Sequence, residues 1–307
     1  SFQKQQNLRY GENPHQEAAF YQDAGSKTAL ANIKQRHGKD LSFNNIYDLN
    51  AALSFIKDFK EPAAVIIKHN NPTGLALGLT LLKAYKDAYS CDPVSAFGGI
   101  IGFNKKVDKP TAQAIHQSGF MECVIAPHFD TAAFGILSQK KNLRLIEVDF
   151  KKLNDGEYDF KKVYGGLLLQ DIDMRKITKA DLKVVTKKKP TKSQLEAMLF
   201  GWQAIKNVRS NAIILIKGKK LVGIGCGQTS RVESVKTAIQ KSGSNARGAV
   251  IVSDAFLPHI DNVQLAKKAG IKAIIQTGGS MADQDVIKEA NKAAMAMVVT
   301  GVRHFKH

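Results

Sequence analysis

Short apolar runs alternate with amphipathic segments along most of the chain, a rhythm that predicts strands alternating with helices. The run from Ala63 to Ile67 is unbroken and rich in β-branched residues, which indicates a strand buried on both faces of a parallel sheet. The other strands that the pattern predicts follow this one, at 100–103, 123–126, 143–148, 211–217, 221–225, 249–252, 271–275 and 295–299.

Helices are predicted where apolar residues recur every three or four positions. In one of them, Ser193 is the expected N-cap, with Glu196 three residues later. The residues Gly218-Lys219-Lys220 are expected to join two neighbouring strands as a hairpin. The predicted helices span 47–59, 79–89, 110–117, 193–206, 231–241, 260–269 and 282–292.

Both halves of the chain show this rhythm, which predicts two α/β units with mostly parallel sheets and helices on both faces. We assign residues 1–150 to an N-terminal arm and the first unit, and residues 151–307 to a connector and the second unit. The connector begins near residue 149 and ends near residue 192, and it is rich in charge. It contains an expected turn at Asn154-Asp155-Gly156 and an isolated apolar run at 165–169.

Composition places the chain among globular proteins. Its 307 residues, with 44% hydrophobic and 23% charged content, are enough for a substantial core. No apolar stretch approaches the roughly 18 residues that span a bilayer, and the first residues form no apolar signal segment, so we expect a cytoplasmic protein. Three widely spaced cysteines, Cys91, Cys123 and Cys226, indicate a reducing compartment and argue against a disulfide framework.

The charge balance is strongly basic, with 45 Lys and Arg against 27 Asp and Glu and a net charge of +18. The excess is densest between Lys140 and Lys192, where runs of lysine are typical of a solvated surface. Such charge also suits anionic small molecules or nucleic acid. We therefore keep a basic nucleotide- or nucleic-acid-binding module without catalysis as an alternative, although no aromatic-interleaved basic stripe accompanies the charge.

The densest cluster of unusual polar residues follows strand 63–67. Lys68 and His69 stand where this strand ends, before a bend expected at Asn70-Asn71-Pro72. Ligands bind beyond the carboxyl ends of strands in open α/β sheets, so these two side chains are candidates for catalysis. They can act on one substrate only if the turn has already begun, because successive residues of a strand point to opposite faces.

Arg231 follows Gly-Gln-Thr-Ser at a predicted helix start, where a guanidinium and free N–H groups suit a phosphate or carboxylate. The Gly-Lys-Ser/Thr of a Walker loop is missing. His15-Gln16-Glu17 has the H-x-E form of a zinc deaminase, but the sequence lacks the P-C-x-x-C that would complete that site. The remaining set of His, Lys, Arg and Asn fits metal-free group transfer by a general base with electrostatic stabilisation.

Seven motifs occur in one order over almost the whole chain. They are L-R-Y-G-E-N-P-H-Q, I-K-H-N-N-P-T-G, S-A-F-G-G, V-R-S-N, G-Q-T-S-R-V, S-D-A-F-L-P-H-I-D-N-V and R-H-F-K-H. Together they resemble the formyltransferase half of the bifunctional purine-biosynthesis family. The resemblance implies transfer of a formyl group from 10-formyltetrahydrofolate to the 5-amino group of phosphoribosylaminoimidazolecarboxamide (AICAR), in the synthesis of inosine monophosphate (IMP).

The resemblance also implies a fold and partners. The fold is a tandem pair of cytidine-deaminase-like units without zinc, and the assembly is a homodimer with active sites near the interface. AICAR and folate are the implied partners, without membrane or nucleic acid, and a structural monovalent cation is compatible with the family. Because the motifs begin near Leu8, we expect the cyclohydrolase domain of the bifunctional family to be separate or missing, and no IMP cyclohydrolase activity from this chain alone.

Roles for single residues follow from the same resemblance. His69 is implied to take the proton of the amine, while Lys68 and Asn211 stabilise the transition state. The residues implied to bind AICAR are Arg9, Tyr10, His69, Gly98, Glu122, Asn211, Arg231 and Arg303. The residues implied to bind folate are Val232, Phe256, Asp261, Ser280 and Met281. His307 matches the terminal histidine of the family.

Overall fold

A twelve-stranded sheet forms the centre of the computed structural model, which describes residues 1–23, 30, 33–153 and 158–307. The strands are β1 (Phe2–Leu8), β2 (Ala18–Asp23), β3 (Lys34–His37), β4 (Ala63–Lys68), β5 (Asn71–Leu77), β6 (Ile100–Phe103), β7 (Cys123–Ala126), β8 (Arg144–Glu147), β9 (Tyr158–Val163), β10 (Gly166–Asp171), β11 (Lys183–Val184), β12 (Ile213–Lys217), β13 (Lys220–Gly225), β14 (Val250–Ser253), β15 (Ala273–Gln276) and β16 (Ala296–Val299). Outside the large sheet, β1 pairs with β2 and β9 with β10, both as antiparallel hairpins.

The large sheet consists of two copies of one topology. Its first half has the order β5-β4-β6-β7-β8-β3, and its second half has the order β13-β12-β14-β15-β16-β11. In each half a hairpin is followed by one antiparallel neighbour, two parallel steps and an antiparallel edge strand. The halves meet where β5 pairs antiparallel with β13, so the second half runs in the opposite direction to the first.

Helices cover both faces of the sheet. They are α1 (Phe43–Ile56), α2 (Leu81–Tyr89), α3 (Pro93–Ala96), α4 (Lys109–Gln117), α5 (Thr131–Leu137), α6 (Lys192–Ile205), α7 (Arg231–Ser242), α8 (Asp261–Lys268) and α9 (Asp283–Lys292). On one face, α1 and α6 bury a continuous apolar cluster that runs through both halves. On the other face, α2, α4 and α5 cover the first half and α7, α8 and α9 cover the second, each group over its own cluster.

Strand β4 shows how the sequence produces these layers. Val65 and Ile67 belong to the cluster under α1 and α6, whereas Ala64 and Ile66 belong to the cluster under α2, α4 and α5. All four side chains are fully buried, so the prediction of a strand buried on both faces is confirmed. Burial of one Val or Ile side chain contributes roughly 1.5–3 kcal/mol, and the position of this strand is therefore strongly determined.

The directions of the strands differ from the prediction. β4 is antiparallel to both of its neighbours, β5 and β6. Within the described parts of the large sheet, the parallel pairs are β6–β7, β7–β8, β14–β15 and β15–β16. The sheet is therefore mixed, and the prediction of mostly parallel sheets was wrong. An apolar run indicates that both faces are covered but does not reveal the direction of its neighbours.

Most predicted elements are confirmed with boundaries shifted by a few residues, and strands 100–103 and 123–126 match β6 and β7 residue for residue. The start of α6 was predicted wrongly, because Thr191 and not Ser193 is its N-cap. The Thr191 hydroxyl accepts a hydrogen bond from the Gln194 N–H at 3.2 Å, and the Gln194 side-chain oxygen accepts one from the Thr191 N–H at 2.9 Å. This reciprocal pair is a capping box.

Five strand regions of the described structure were not predicted. Residues 71–74 were expected to be a turn but begin β5, the N-terminal arm and the connector each contain a hairpin, and the edge strands β3 and β11 were also missed. The turn expected at 154–156 lies outside the described residues. Among the helices that the structure describes, none is both long enough and apolar enough to cross a membrane.

Candidate functional site

The predicted site residues of both halves lie where the strands of the large sheet end on one side. We call this line of strand ends the site edge. Here β4 ends at Lys68 and β12 begins at Ile213. Ile67 pairs with Ile100, so the start of β6 lies beside the end of β4, and Ile213 pairs with Ser253, so the end of β14 lies beside the start of β12. The first half contributes the amino ends of β6, β7 and β8, whereas the second contributes the carboxyl ends of β14, β15 and β16. The expected crevice beyond carboxyl ends therefore describes β4 in the first half and β14, β15 and β16 in the second, but not β6, β7 and β8.

The order of the strands brings together residues that are far apart in the chain. The predicted residues at the site edge are Lys68 and His69 after β4, Gly98 before β6, Glu122 before β7, Asn211 before β12, Arg231 and Val232 after β13, Phe256 and Asp261 after β14, Ser280 and Met281 after β15, and Arg303 after β16. Arg9 and Tyr10 lie in the loop after β1, which the Asn44 side chain ties to α1 by a 3.2 Å hydrogen bond to the Glu12 carbonyl.

Lys68 and His69 lie at the tip of the β4–β5 hairpin. Lys68 pairs with Asn71, so His69 and Asn70 form a two-residue turn, with φ of 49° and 61°. Positive φ at both central residues matches the twist of a tight hairpin, but it costs a non-glycine residue about 1–2 kcal/mol. The turn begins directly after Lys68, as joint action of the two side chains requires.

Asp48, on helix α1, contacts the backbone of this turn. Its Oδ1 accepts a hydrogen bond from the Asn70 N–H at 2.7 Å. Burial raises the pKa of Asp48, and the Asn70 N–H, the His69 charge and N–H, and the Lys68 charge act against that rise. The carboxylate therefore faces the backbone of the turn in a partly buried position.

Gly98 lies beside the amine of Lys68. Lys68 Nζ donates a hydrogen bond to the Phe97 carbonyl at 2.7 Å. A Cβ on residue 98 would come within 3.0 Å of that nitrogen, and the φ of Gly98 is +68°, so both space and conformation favour glycine.

Glu122, which precedes β7, accepts a 2.6 Å hydrogen bond from the Arg144 guanidinium and forms an ion pair with it.

Asn211 and Arg231 belong to a buried network. Arg231 is 7% exposed and pairs with the carboxylate of Asp254, which is 0% exposed. The Arg231 Nη1 also donates to Ser253 Oγ at 2.9 Å, and its Nη2 donates to Asn211 Oδ1 at 2.8 Å. Asn211 Nδ2 in turn donates to the Gln228 carbonyl at 2.9 Å. These contacts fix the orientation of the Asn211 amide.

The contacts of Arg231 bear on its expected role. Both terminal nitrogens of its guanidinium donate to groups within the protein, and the Nη2 contact holds the Asn211 amide. Direct contact between Arg231 and a phosphate stays a prediction.

Two adjacent cavities, of about 370 Å³ and about 360 Å³, open beside Asn211, and both are lined by Asn211, Thr229 and Phe305. The second cavity is also lined by three of the residues predicted to bind folate: Val232, Phe256 and Asp261. Ser280 and Met281 line neither cavity, and the Met281 side chain is exposed. The structure thus brings part of the predicted folate set together around Asn211.

The C-terminal segment packs against the same cavities. Phe305 and His307 line the first cavity, and the Arg303 guanidinium lies 4.5 Å from the centre of the Phe305 ring. Lys306 is tied to Ser210, because the Ser210 N–H donates to its carbonyl at 2.9 Å and its own N–H donates to Ser210 Oγ at 3.1 Å. Burial lowers the pKa of Lys306 to about 8.

Arg209 links the two halves at the site edge. Its N–H donates to Asn71 Oδ1 at 3.3 Å, and its guanidinium donates to the Tyr47 hydroxyl at 3.3 Å. The Asn71 amide donates to the His69 carbonyl at 3.2 Å. The turn that carries His69 is therefore braced from the second half as well as by Asp48.

Among the residues of this site that were not predicted are Asp48, Asp254 and Lys306. Asp254 lies in the S-D-A-F motif directly after a predicted strand, and that position could have indicated it. Asp48 is inside a helix, 22 positions before Asn70, and no local pattern connects the two. Lys306 occurs in the terminal motif, where a lysine is ordinarily expected to be exposed.

His15 and Glu17, the H-x-E pair, are exposed in the loop after β1. Cys91, Cys123 and Cys226 are free cysteines. Across the part of the chain that the structure describes, no group of three or more His, Cys, Asp and Glu side chains is arranged to hold a metal ion.

Comparison with known proteins identifies one family. Its sequence model, described as the AICARFT/IMPCHase bienzyme, matches residues 1–241. The bifunctional purine biosynthesis protein PurH of Halalkalibacterium halodurans is 50% identical over 308 residues, which is 100% of this chain and 60% of that relative. The proteins of the same name from Acetivibrio thermocellus and Bacillus subtilis are 50% identical over 310 residues and 48% identical over 308 residues, with the same coverage.

The chain therefore spans about 60% of the length of the curated relatives it matches. The names of these relatives describe purine biosynthesis, and they do not favour the alternative of a nucleic-acid-binding module.

Proposed function

Because this chain belongs to the AICARFT/IMPCHase bienzyme family, we propose that it transfers the formyl group of 10-formyltetrahydrofolate to the 5-amino group of AICAR. The family match over residues 1–241 supports this function, as does the 48–50% identity to the named relatives over the length of the chain. The product is formyl-AICAR, a precursor of IMP.

The amine of AICAR is a weak nucleophile, because its lone pair is delocalised into the ring and the carboxamide. A base that takes a proton from this nitrogen assists its attack on the formyl carbon, and imidazole is suited to that task near neutral pH. His69 is exposed at the tip of the hairpin on the site edge, which supports its assignment as the base.

Attack forms a carbon–nitrogen bond and leaves negative charge on the former formyl oxygen. Collapse of this intermediate breaks the bond to the folate N10 nitrogen, which takes up a proton. Donors fixed in advance lower the energy of such an oxyanion. The Lys68 amine and the Asn211 amide are suitable donors, and the Arg231 contact that holds Asn211 supports this role.

The second cavity supports a folate site that includes Val232, Phe256 and Asp261. It combines apolar walls with a carboxylate, as is typical of sites for aromatic ligands that carry hydrogen-bond donors. Ser280 and Met281 would extend this site along the carboxyl end of β15. AICAR would then bind between this cavity and the β4–β5 turn. The residues proposed to hold it are Arg9, Tyr10, Gly98, Glu122, Asn211, Arg231 and Arg303.

The finer architecture is also proposed. The repeated strand order supports two cytidine-deaminase-like units within residues 1–150 and 151–307. A homodimer is supported by the β9–β10 hairpin, which exposes apolar side chains and is too small to be stable alone. Its exposed apolar residues are Tyr158, Phe160, Val163, Tyr164, Leu167, Leu168 and Leu169.

The observation that carries the proposal is the Lys68–His69 pair on a turn at the same sheet edge as the fixed Asn211 amide. The test is a formyl-transfer assay with AICAR and 10-formyltetrahydrofolate on the native chain and on His69→Ala. We expect the substitution to lower kcat by about 10²–10⁴-fold, the usual contribution of a general base.

The matched control is His128→Ala. His128 is half-exposed and follows β7 at the opposite edge of the sheet, where it pairs with Glu147 at 2.7 Å, so its removal should change kcat by less than about twofold. No transfer by the folded native chain would disprove the proposed function. Full activity of His69→Ala would retain the reaction but remove His69 from the role of base.

A further inference from the structure

We infer that Asp48 is a positioning residue, which holds the Lys68–Asn70 turn in the conformation that presents His69 to the substrate. This inference rests on the proposed function. It concerns how one helix controls the geometry of the base, and it begins from the conformation of the turn.

The turn has an unfavourable backbone. His69 and Asn70 both have positive φ, and neither is glycine. The Cβ of any such residue approaches the following carbonyl oxygen, at a cost of about 1–2 kcal/mol, which Asn offsets in part because its short side chain can hydrogen-bond locally. Such a conformation persists only when surrounding contacts determine it. A free loop would relax His69 to negative φ and point its side chain in another direction.

Asp48 supplies a contact of the required kind. Its carboxylate accepts the Asn70 N–H at 2.7 Å, and hydrogen bonding from the N–H groups of Asn70 and His69 opposes the burial that raises the Asp48 pKa. A hydrogen bond from a backbone N–H to an ionised group is among the stronger kinds in proteins. The carboxylate therefore favours the conformation in which the Asn70 N–H points toward α1.

Asp48 is itself on a rigid support. The neighbouring residue Leu49 is fully buried under the sheet. A capping box fixes the start of α1, with Ser42 Oγ accepting the Asn45 N–H at 3.2 Å and Asn45 Oδ1 accepting the Ser42 N–H at 3.1 Å. A support of this kind can define the position of a functional group to within fractions of an ångström. Small errors in that position reduce rates strongly, by about 10²-fold for 1 Å.

The test is a double-mutant cycle in the formyl-transfer assay. Asp48→Ala should lower kcat by about 10–100-fold, with the KM for AICAR changed by less than about twofold, because the variant loses geometry and not substrate contacts. Asp48→Asn retains an oxygen that can accept the Asn70 N–H, so its kcat should lie between those of the native chain and Asp48→Ala. In the His69→Ala background, Asp48→Ala should change kcat by less than about twofold.

The control is Asn50→Ala, an exposed position on the same helix, which should leave kcat unchanged. Amide hydrogen exchange adds a measurement that does not depend on activity, and Asp48→Ala should accelerate exchange at Asn70 by about tenfold or more. An equal loss of kcat in both backgrounds would overturn the inference, and so would unchanged exchange at Asn70. If Asp48→Ala fails to fold, Asp48→Asn carries the same cycle.

The two proposals can fail separately. If the native chain transfers no formyl group, the proposed function fails, while exchange at Asn70 still reports whether Asp48 holds the turn. If the native chain is active but Asp48→Ala keeps its full kcat, the proposed function stands and the inference is wrong.

Discussion

The two halves of the sheet share one topology but contribute different groups to the site edge. Because β5 and β13 meet antiparallel, the first half presents the β4–β5 turn and the amino ends of its strands, and the second presents carboxyl ends. His69 is exposed on the first side, whereas Arg231 and Asp254 are 7% and 0% exposed on the second. Duplication of the fold has therefore not duplicated the site.

This difference has a physical consequence. Reactive groups on an exposed turn can be changed with little effect on packing, whereas a buried charged network is part of the core. Substitutions in the first half should therefore reduce activity more than stability, and substitutions in the second half should first reduce stability. Variants in the two halves test this division, and the largest loss of stability is expected in the second half.

Asp254→Asn should have the largest effect on stability. The substitution keeps the size of the side chain but leaves the buried Arg231 charge without its partner, and it weakens the 2.5 Å contact from Ser210 Oγ. Removal of one member of a buried ion pair costs about 3–5 kcal/mol. Urea denaturation should show a loss of this size in the free energy of unfolding, with an unchanged m-value.

Two further variants separate charge from packing. Glu233→Gln, in the first turn of the same helix α7, removes half of an exposed pair with Lys236 and should cost less than about 0.5 kcal/mol. Adding Arg231→Met to Asp254→Asn removes both buried charges and should restore more than half of the loss. Equal effects of Asp254→Asn and Glu233→Gln would contradict the contribution of the buried network to the stability of the second half.

Strands that are buried on both faces could be predicted from the sequence. Strands were missed where the local composition favours a turn but tertiary packing imposes a strand. Residues 71–74 have the composition of a turn but begin β5. Pro72 fits a strand because a register shift lies beside it in the β4–β5 pairing, where a ladder hydrogen bond is not required. Gly74 is needed for packing, since a Cβ there would collide with the Ala88 carbonyl on α2.

The site could be predicted only through residues that carry motifs. In the β9–β10 hairpin, which is largely exposed, β10 shows no alternating pattern and β9 alternates over only its first four residues. The sheet order that unites the two halves depends on the β5–β13 pairing, for which the sequence offers no pattern. Asp48 and Asp254 act through contacts with residues distant in the chain, so periodicity cannot identify them.

Substitution of Lys306 should have an effect of intermediate size on the free energy of unfolding. This residue lies beside the cavity, and its buried charge reduces the stability of the fold. Burial, with the nearby Arg209 charge, lowers the Lys306 pKa from its ordinary 10.5 to about 8. Below pH 8 both folded and unfolded states carry the proton, and the folded state bears the full penalty. Since one pH unit of pKa difference corresponds to about 1.36 kcal/mol, the penalty is at most about 3 kcal/mol.

Between pH 8 and 10.5 the unfolded state binds more protons than the folded state, so stability should rise with pH across this window. Lys306→Met should therefore be more stable than the native chain by about 1–3 kcal/mol at pH 7, and this difference should shrink toward pH 10.5. The exposed Lys187→Met is the control. Parallel pH–stability curves for the native chain and Lys306→Met would contradict the prediction.

The smallest effect on stability is expected at the β4–β5 turn in the first half. There, a substitution of His69 by glycine should lower activity while it relieves strain in the backbone. His69→Ala and His69→Gly both remove the imidazole, so both should lose formyl transfer to the same degree. Only glycine relieves the positive φ of 49°, because alanine retains the Cβ that strains this conformation. The unfolded chain gains freedom from glycine, which offsets part of the relief.

His69→Gly should thus be more stable than His69→Ala by about 0.5–1 kcal/mol in urea denaturation. Comparing these two variants, which lack the same functional group, isolates backbone strain from the loss of side-chain contacts. A more stable glycine variant would mean that the turn stores strain to hold His69 at the site edge, as the Asp48 contact implies. Equal stability would mean that the relief of strain is no larger than the freedom that glycine adds to the unfolded chain, which would remove the strained turn as the reason for the Asp48 contact.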